Sequence, residues 1–340
     1  MDSKNERKRY PYGASLFFIT ISCIALGILI VSPAHNMKSS DKLYIVCTTG
    51  IVADLVCQIG GNLVNFDTLM GVGVDPHMYR ARESDMHKIA QADIILYHGL
   101  HLEGKMATMF SRMQLAQKIV QLSNSDAVTF GDAGVAIVSV SHTIPTHLLK
   151  VSECADIYDP HIWHDVSLWR YAAIQVGEIL QKKDPKNKKV YEKNMVNYLE
   201  KLDVLDQYIH NRMATIPSHK RILITAHDAF GYFGKAYGCE VIGLQGISTD
   251  SEISACDITR IVEVICTHNV RVVFVESLIP ERTIQAVRQA VLARGLRVDI
   301  GKELFSDALG NEESGAHTYI DMIKHNVEVI VEALASETYA

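Results

Sequence analysis

Between residues 187 and 216, apolar side chains recur every three or four positions: Tyr191, Met195, Tyr198, Leu202, Leu205, Ile209 and Met213. That spacing draws one stripe along a single helix. Asp184-Pro185 supplies a start signal, and Pro217 marks the end. At about 1.5 Å per residue, some 30 residues make a rod of roughly 45 Å. A rod of that length can run along two lobes and tether them stiffly, unlike the flexible crossing strands of hinge-bending proteins.

The segments on either side share one rhythm. Before the rod, Leu43–Thr48, Ala92–Tyr97 and Ala136–Val140 are short runs rich in branched residues, alternating with helical stretches at Val52–Ile59, Ala81–Ile89 and Gly104–Leu122. After it, Arg221–Thr225, Glu240–Gly243, Val270–Glu276 and Leu296–Ile300 read as strands, and Gly231–Tyr237, Ala255–Asn269 and Pro280–Arg294 as helices. Buried runs alternating with amphipathic helices indicate parallel strands with crossover helices. The expected fold is α/β: two Rossmann-like lobes with mainly parallel sheets, at residues 41–186 and 218–340, joined by one long rigid helix over 187–217. The length agrees with about two domains.

The N-terminus reads as an export signal. Lys4, Arg7, Lys8 and Arg9 precede an uncharged stretch from Ala14 to Val31, and Ser32-Pro33-Ala34 offers small residues at a cleavage site. The predicted mature chain begins near His35, with an uncleaved anchor as the alternative reading of residues 1–34. Cys23 follows Ile21-Ser22 as in a lipoprotein site, but Thr20 is the wrong residue type there and lipidation is not favoured. Six further cysteines follow, with no two-residue gap of a zinc or redox motif between any pair. Six could form disulfides in an exported protein, in 15 connectivities among which the sequence selects none; buried small apolar positions with at most one bridge are the expected role for them. A formal net charge of −6 leaves no basic excess and argues against a nucleic-acid partner.

The chemistry is carried by histidines at strand ends. Asp75-Pro76-His77 and Asp159-Pro160-His161 each sit where a loop gives way to a helix, and Ala226-His227-Asp228 closes a strongly apolar strand. Proline fixes φ and stiffens the turn that presents the histidine, and an adjacent aspartate can bond backbone or orient an imidazole. In open α/β sheets, ligands bind beyond the carboxyl ends of strands. His77, His161, His227 and Asp307 all fall at such positions, and two facing lobes would bring the four into one cleft. Neutral imidazoles gathered from separate loops suggest one metal.

Several stretches resemble the metal-binding solute receptors of ABC importers, most closely the TroA type: Leu69–Tyr79, Asp93–Glu103, Asp159–Val166, Thr225–Gly238, Gly243–Thr249 and Gly301–Gly310. They span nearly all of the mature chain in order. The resemblance implies a periplasmic, monomeric receptor that captures a divalent transition metal ion (Zn²⁺, Mn²⁺ or Fe²⁺) with His77, His161, His227 and Asp307. It would deliver the ion to a membrane permease served by a cytoplasmic ATPase. Zinc receptors of the family often carry a histidine-rich loop before the second ligand. Only His142 and His147 stand in that region, so no metal-collecting loop is expected. His98 and His164 occupy positions where the family leads one to expect other residues. The metal's identity stays open.

The bland readings differ by residue. Asp307 could instead cap a helix. Asp75, Asp159 and Asp228 read as turn-forming or ligand-orienting, and Glu103 and Glu276 as outer-layer or structural carboxylates. Trp163 and Trp169 read as packing residues. An exported hydrolase would need a base, and neither a His-Glu-x-x-His helix nor a phosphate loop is present, so the chain is not read as an enzyme. A surface adhesin with a structural metal is the third reading.

Overall fold

The computed structural model describes residues 42–115, 136–141, 150–152, 155–250 and 253–335. The expected export signal, Cys23, Cys154, His142 and His147 lie outside them. The chain enters through β1 (Leu43–Thr49), where Thr49 caps α1 (Gly50–Gly60) by accepting the Val52 N–H at 3.3 Å. There follow β2 (Val64–Met70), α2 (Glu83–Gln91), β3 (Ile94–Tyr97), α3 (Gly104–Leu115) and β4 (Ala136–Ser139). All four strands run parallel in the order β2-β1-β3-β4. Side chains of the two central strands alternate between faces: Ile45, Cys47, Ile94 and Leu96 enter one hydrophobic cluster, Val46 and Ile95 another. Both faces are therefore covered, as parallel sheets require.

A short antiparallel hairpin, β5 (Lys150–Ser152) and β6 (Ala155–Tyr158), leads through a 3-10 turn at Ile162–His164 into α4 (Val166–Lys183). Asp165 caps α4 by accepting the Ser167 and Leu168 N–H groups at 2.8 and 3.4 Å. A further 3-10 turn, Pro185–Asn187, opens α5 (Lys188–Met213). Its 26 residues span about 39 Å. Six of the seven stripe residues are buried, and the seventh, Met195, packs partly buried beside them. The helix stops short of Ile216 because the last turn tightens. Thr215 and Ile216 donate to Arg212 and Met213, both at 3.1 Å, and Pro217 disfavours helical geometry at the residue before it.

The second half contains β7 (Ile222–His227), α6 (Gly231–Tyr237), β8 (Glu240–Gln245), α7 (Ala255–His268), β9 (Val272–Val273), α8 (Arg282–Ala293), β10 (Asp299–Ile300) and α9 (Tyr319–Ala335). β7 pairs with β8 and β9 with β10, both in parallel. The Phe274 N–H donates to the Ile224 carbonyl at 2.9 Å and joins the two pairs. The strands expected over Val270–Glu276 and Leu296–Ile300 shrink to two residues each. Beyond them, pairing continues only through single contacts such as the Glu276–Leu304 bridge. Gly243 in β8 is required by close approach, since a Cβ there would lie 2.5 Å from the Asp228 backbone nitrogen.

The largest hydrophobic cluster is shared by both halves. It includes Ile45 and Val56, Tyr198 and Leu205 of α5, and Leu223, Phe274, Leu304 and Val327. The described residues form one compact unit. The start of α9 is pinned to α1 by the Tyr319 N–H donating to Asp54 at 3.3 Å. Farther along, Arg212 of α5 grips Glu328 of α9 through two hydrogen bonds of 2.7 and 2.6 Å. No helix among the described residues is long and apolar enough to cross a membrane.

Candidate metal centre

Strand ends bring the four predicted residues together. His77 follows β2, His161 follows β6, His227 ends β7, and Asp307 lies beyond β10. One donor atom from each lies within 4.8 Å of every other, and all four residues are buried. Four separations are closer still. His77 Nε2 is 3.3 Å from His161 Nε2, and Asp307 lies 3.5, 3.3 and 3.2 Å from the Nε2 atoms of His77, His161 and His227. Four donors at the corners of a tetrahedron with bonds of about 2.0–2.1 Å are separated by about 3.3–3.4 Å. His227 Nε2 and both Asp307 carboxylate oxygens have no hydrogen-bond partner. Buried polar atoms are otherwise almost always paired. These distances and vacant lone pairs fit one divalent cation.

Carboxylates behind the rings aim two of the histidines. His161 Nδ1 donates to Asp159 at 2.7 Å, and His227 Nδ1 donates to Glu276. A carboxylate only accepts, so each ring carries a proton on Nδ1 and turns Nε2 inward. Asp75 acts differently. It accepts the His77 backbone N–H at 2.8 Å, and its other oxygen accepts the Thr249 hydroxyl at 2.6 Å. Next in sequence, Asp250 pairs with Lys105 of α3 at 2.6 Å. These two contacts tie the loop after β8 to the N-terminal half beside His77.

Electrostatics follow from burial and neighbours. Burial drives the His161 imidazole toward neutrality, but Asp307 and Asp159 outweigh it and lift its pKa to about 9. His227 is raised well above the usual range, because Glu276 and Asp307 overcome the same burial penalty. Burial opposes ionisation of Asp307, yet His227 and His161 hold it well below the ordinary carboxylate range. Protons on the imidazoles thus occupy the electrostatic role that a cation would take.

The other flagged residues separate cleanly. Glu103 does not touch the cluster. It accepts from Thr48 Oγ1 at 2.6 Å and from the backbone N–H groups of His98 and Gly99 at 2.6 and 3.1 Å. Those bonds hold a turn with positive φ at Gly99, Leu100 and His101. Asp228 makes no bond to a donor ring among the described contacts, and burial raises its pKa. Trp163 is buried as expected, but it also donates to the Ser306 carbonyl at 2.8 Å, next to Asp307. His98 and His164 are buried around the centre, and burial lowers the pKa of each to about 3. The described cysteines are unbridged; Cys47 and Cys239 are buried as expected, whereas Cys57 and Cys256 are exposed and Cys266 is half-buried, against that expectation. The sequence reading did not single out Thr249 or Ser306. Thr249 ends a resemblance-carrying stretch, but its partner is 174 residues away.

Three buried imidazoles and one carboxylate, gathered at or beyond the carboxyl ends of four strands, define a class of α/β proteins built to hold a single cation. The sequence matches the ZnuA family, described as zinc-uptake complex component A, periplasmic, over residues 45–333, and the chain belongs to that family. It is 41% identical to the zinc-binding protein TroA of Treponema pallidum, over 92% of this chain and 96% of that protein. It is 39% identical to the manganese-binding lipoprotein MntA of Bacillus subtilis, over 94% and 98%. The solved structure of the periplasmic zinc-binding TroA from Treponema pallidum superposes with a TM-score of 0.79 at 42% identity, covering 87% of this chain and all of that one. Fe(III)-bound YtgA from Chlamydia trachomatis superposes at 0.73 with 25% identity, covering 86% and 98%.

Proposed function

We propose that this protein is an extracytoplasmic receptor that captures one divalent transition metal ion (Zn²⁺, Mn²⁺ or Fe²⁺) through His77, His161, His227 and Asp307. It delivers the ion to an ABC permease and its ATPase for import. The observation that carries this reading is the convergence of three Nε2 atoms on an unpartnered buried carboxylate at 3.2–3.5 Å. The match to the zinc-uptake family and the similarity to zinc-binding TroA and manganese-binding MntA support it, as does the expected export signal in the sequence. Residues 41–186 and 218–340 serve as the two lobes that contribute donors, with 187–217 as their tether.

The ion is cargo, and the protein does no chemistry on it. Four protein donors enclose the site, whereas a catalytic zinc keeps an exchangeable position and a nearby base. Carboxylates keep a proton on Nδ1 of two of the rings, so that when the ion displaces the protons that Asp307 had stabilised, Nε2 is the nitrogen left free to coordinate. Equilibrium metal analysis of the purified protein tests the reading. One tightly held ion per chain, lost when His161 or Asp307 is replaced by alanine, is the expected result. Stoichiometric binding that survives all four alanine replacements would exclude this site.

A further inference from the structure

Two buried histidines outside the cluster make the same contact. His98 Nε2 lies 2.6 Å from the Pro160 carbonyl, and His164 Nε2 lies 3.1 Å from the Ser306 carbonyl. Pro160 precedes His161 and Ser306 precedes Asp307, so each imidazole holds the peptide carbonyl immediately before a cluster residue. A carbonyl only accepts, so both rings carry their proton on Nε2. Both side chains are 1% exposed and therefore face no competing water.

Neither ring is free to drift. The His98 backbone N–H is tied to Glu103, and its carbonyl accepts the Ser139 and Ser141 hydroxyls, both at 2.8 Å. Its ring meets Trp163 edge-on at 4.9 Å. The His164 ring stacks on Phe230 at 4.3 Å. Trp163 lies between them and adds a second donor to the Ser306 carbonyl. The main chain entering His161 and Asp307 is thereby fixed by rigid aromatic donors.

We propose that His98 and His164 are positioning residues that hold His161 and Asp307 at tetrahedral spacing and so favour a small four-coordinate ion over a larger six-coordinate one. The inference rests on the receptor reading above. Zinc accepts four donors at about 2.0–2.3 Å, whereas manganese is suited to oxygen-rich octahedral shells. Loosening the two peptides lets the donors spread and admit water. That penalises zinc and relieves the penalty on manganese.

The test compares His98→Phe and His164→Phe, which keep an aromatic ring but lose the N–H, with His98→Gln and His164→Gln, which restore a donor at the Nε2 position. Zinc and manganese dissociation constants are measured by chelator competition, and the visible spectrum of the Co²⁺-loaded protein reports coordination number. Outer partners of metal ligands are typically worth 10–100-fold in affinity. The phenylalanine variants should accordingly lose tenfold or more of the zinc-over-manganese preference and show a weakened tetrahedral Co²⁺ band, with recovery in the glutamine variants. Each position is tested separately, so one variant that fails to fold leaves the other informative. An unchanged metal ratio and Co²⁺ spectrum in folded phenylalanine variants would overturn the positioning role, even if their melting temperatures fell. If the unaltered protein bound neither metal, the receptor reading itself would fail.

Discussion

Glu276 receives two hydrogen bonds from a single residue: one carboxylate oxygen accepts the His227 backbone N–H at 2.8 Å, and the other accepts the same residue's Nδ1–H. Backbone and ring of His227 are therefore fixed by one side chain. Glu276→Gln keeps the shape but can turn an amide N–H toward Nδ1, which disfavours the coordinating tautomer. Metal affinity is expected to fall about 10–100-fold, with the metal-free fold retained by circular dichroism. Unchanged affinity by competition titration would show that the pair only supports the fold.

Replacing His77, His161, His227 or Asp307 by alanine is expected to remove most of the metal-induced rise in melting temperature. A ligand bound only by the folded state contributes about 4 kcal/mol at a thousandfold excess over Kd. Thermal scans of each variant, with and without metal, read the loss against that variant's own metal-free baseline.

Metal binding and metal-free stability should respond to pH in opposite directions. His161 has a folded pKa of about 9 against an ordinary 6.5. Its protonation therefore stabilises the metal-free fold fully below about pH 6.5, and that contribution is lost as pH rises through about 9. The ion requires the neutral ring, so affinity rises over the same interval. The metal-induced gain in melting temperature should grow from pH 6.5 to 9. A gain that shrinks with rising pH would contradict the proton–metal exchange.

The loop after β8 is held to the N-terminal half by Thr249–Asp75 and Lys105–Asp250. Lys105–Asp250 is partly exposed, and an ion pair of that kind contributes little. The Thr249 hydroxyl bond to the aspartate beside His77 is the more consequential one. Thr249→Val should raise the rate of metal release several-fold in stopped-flow chelator chase, and Lys105→Ala much less.

The stiff α5 and the core shared by both halves predict that metal-free and metal-loaded protein have nearly equal radii of gyration by small-angle scattering. A large contraction on loading would refute the rigid tether.

Much of this was legible because it is periodic or local. The α5 stripe, the helices after β7 and β8, and the histidine turns all signal within a few residues. β2 was missed because VNFDTLM, at the sheet edge, alternates buried and exposed residues irregularly. Helix α4 is buried on more than one side, so its apolar residues form no single stripe, and α9 carries apolar residues at most positions. Among the residues around the cluster, Glu276 reads equally as an outer-layer or a structural carboxylate, because a carboxylate at a strand end carries no local sign of its partner 49 residues earlier. The histidine–carbonyl contacts span 62 and 142 residues and end on main-chain oxygen, so the identity of the accepting residue gives no signal.

The last helix of the chain completes the first core. Val327 and Ile330 of α9 pack in the same cluster as Ile45 and Val56, and Asp54 waits for the Tyr319 N–H. During synthesis, the N-terminal sheet is therefore left with an open apolar flank until residues 319–335 have emerged. Until then that flank of the core has no partner helix, which disfavours early, stable folding of the nascent chain. For a protein whose proposed workplace lies across a membrane, such late closure of the core suits a chain that crosses before it folds.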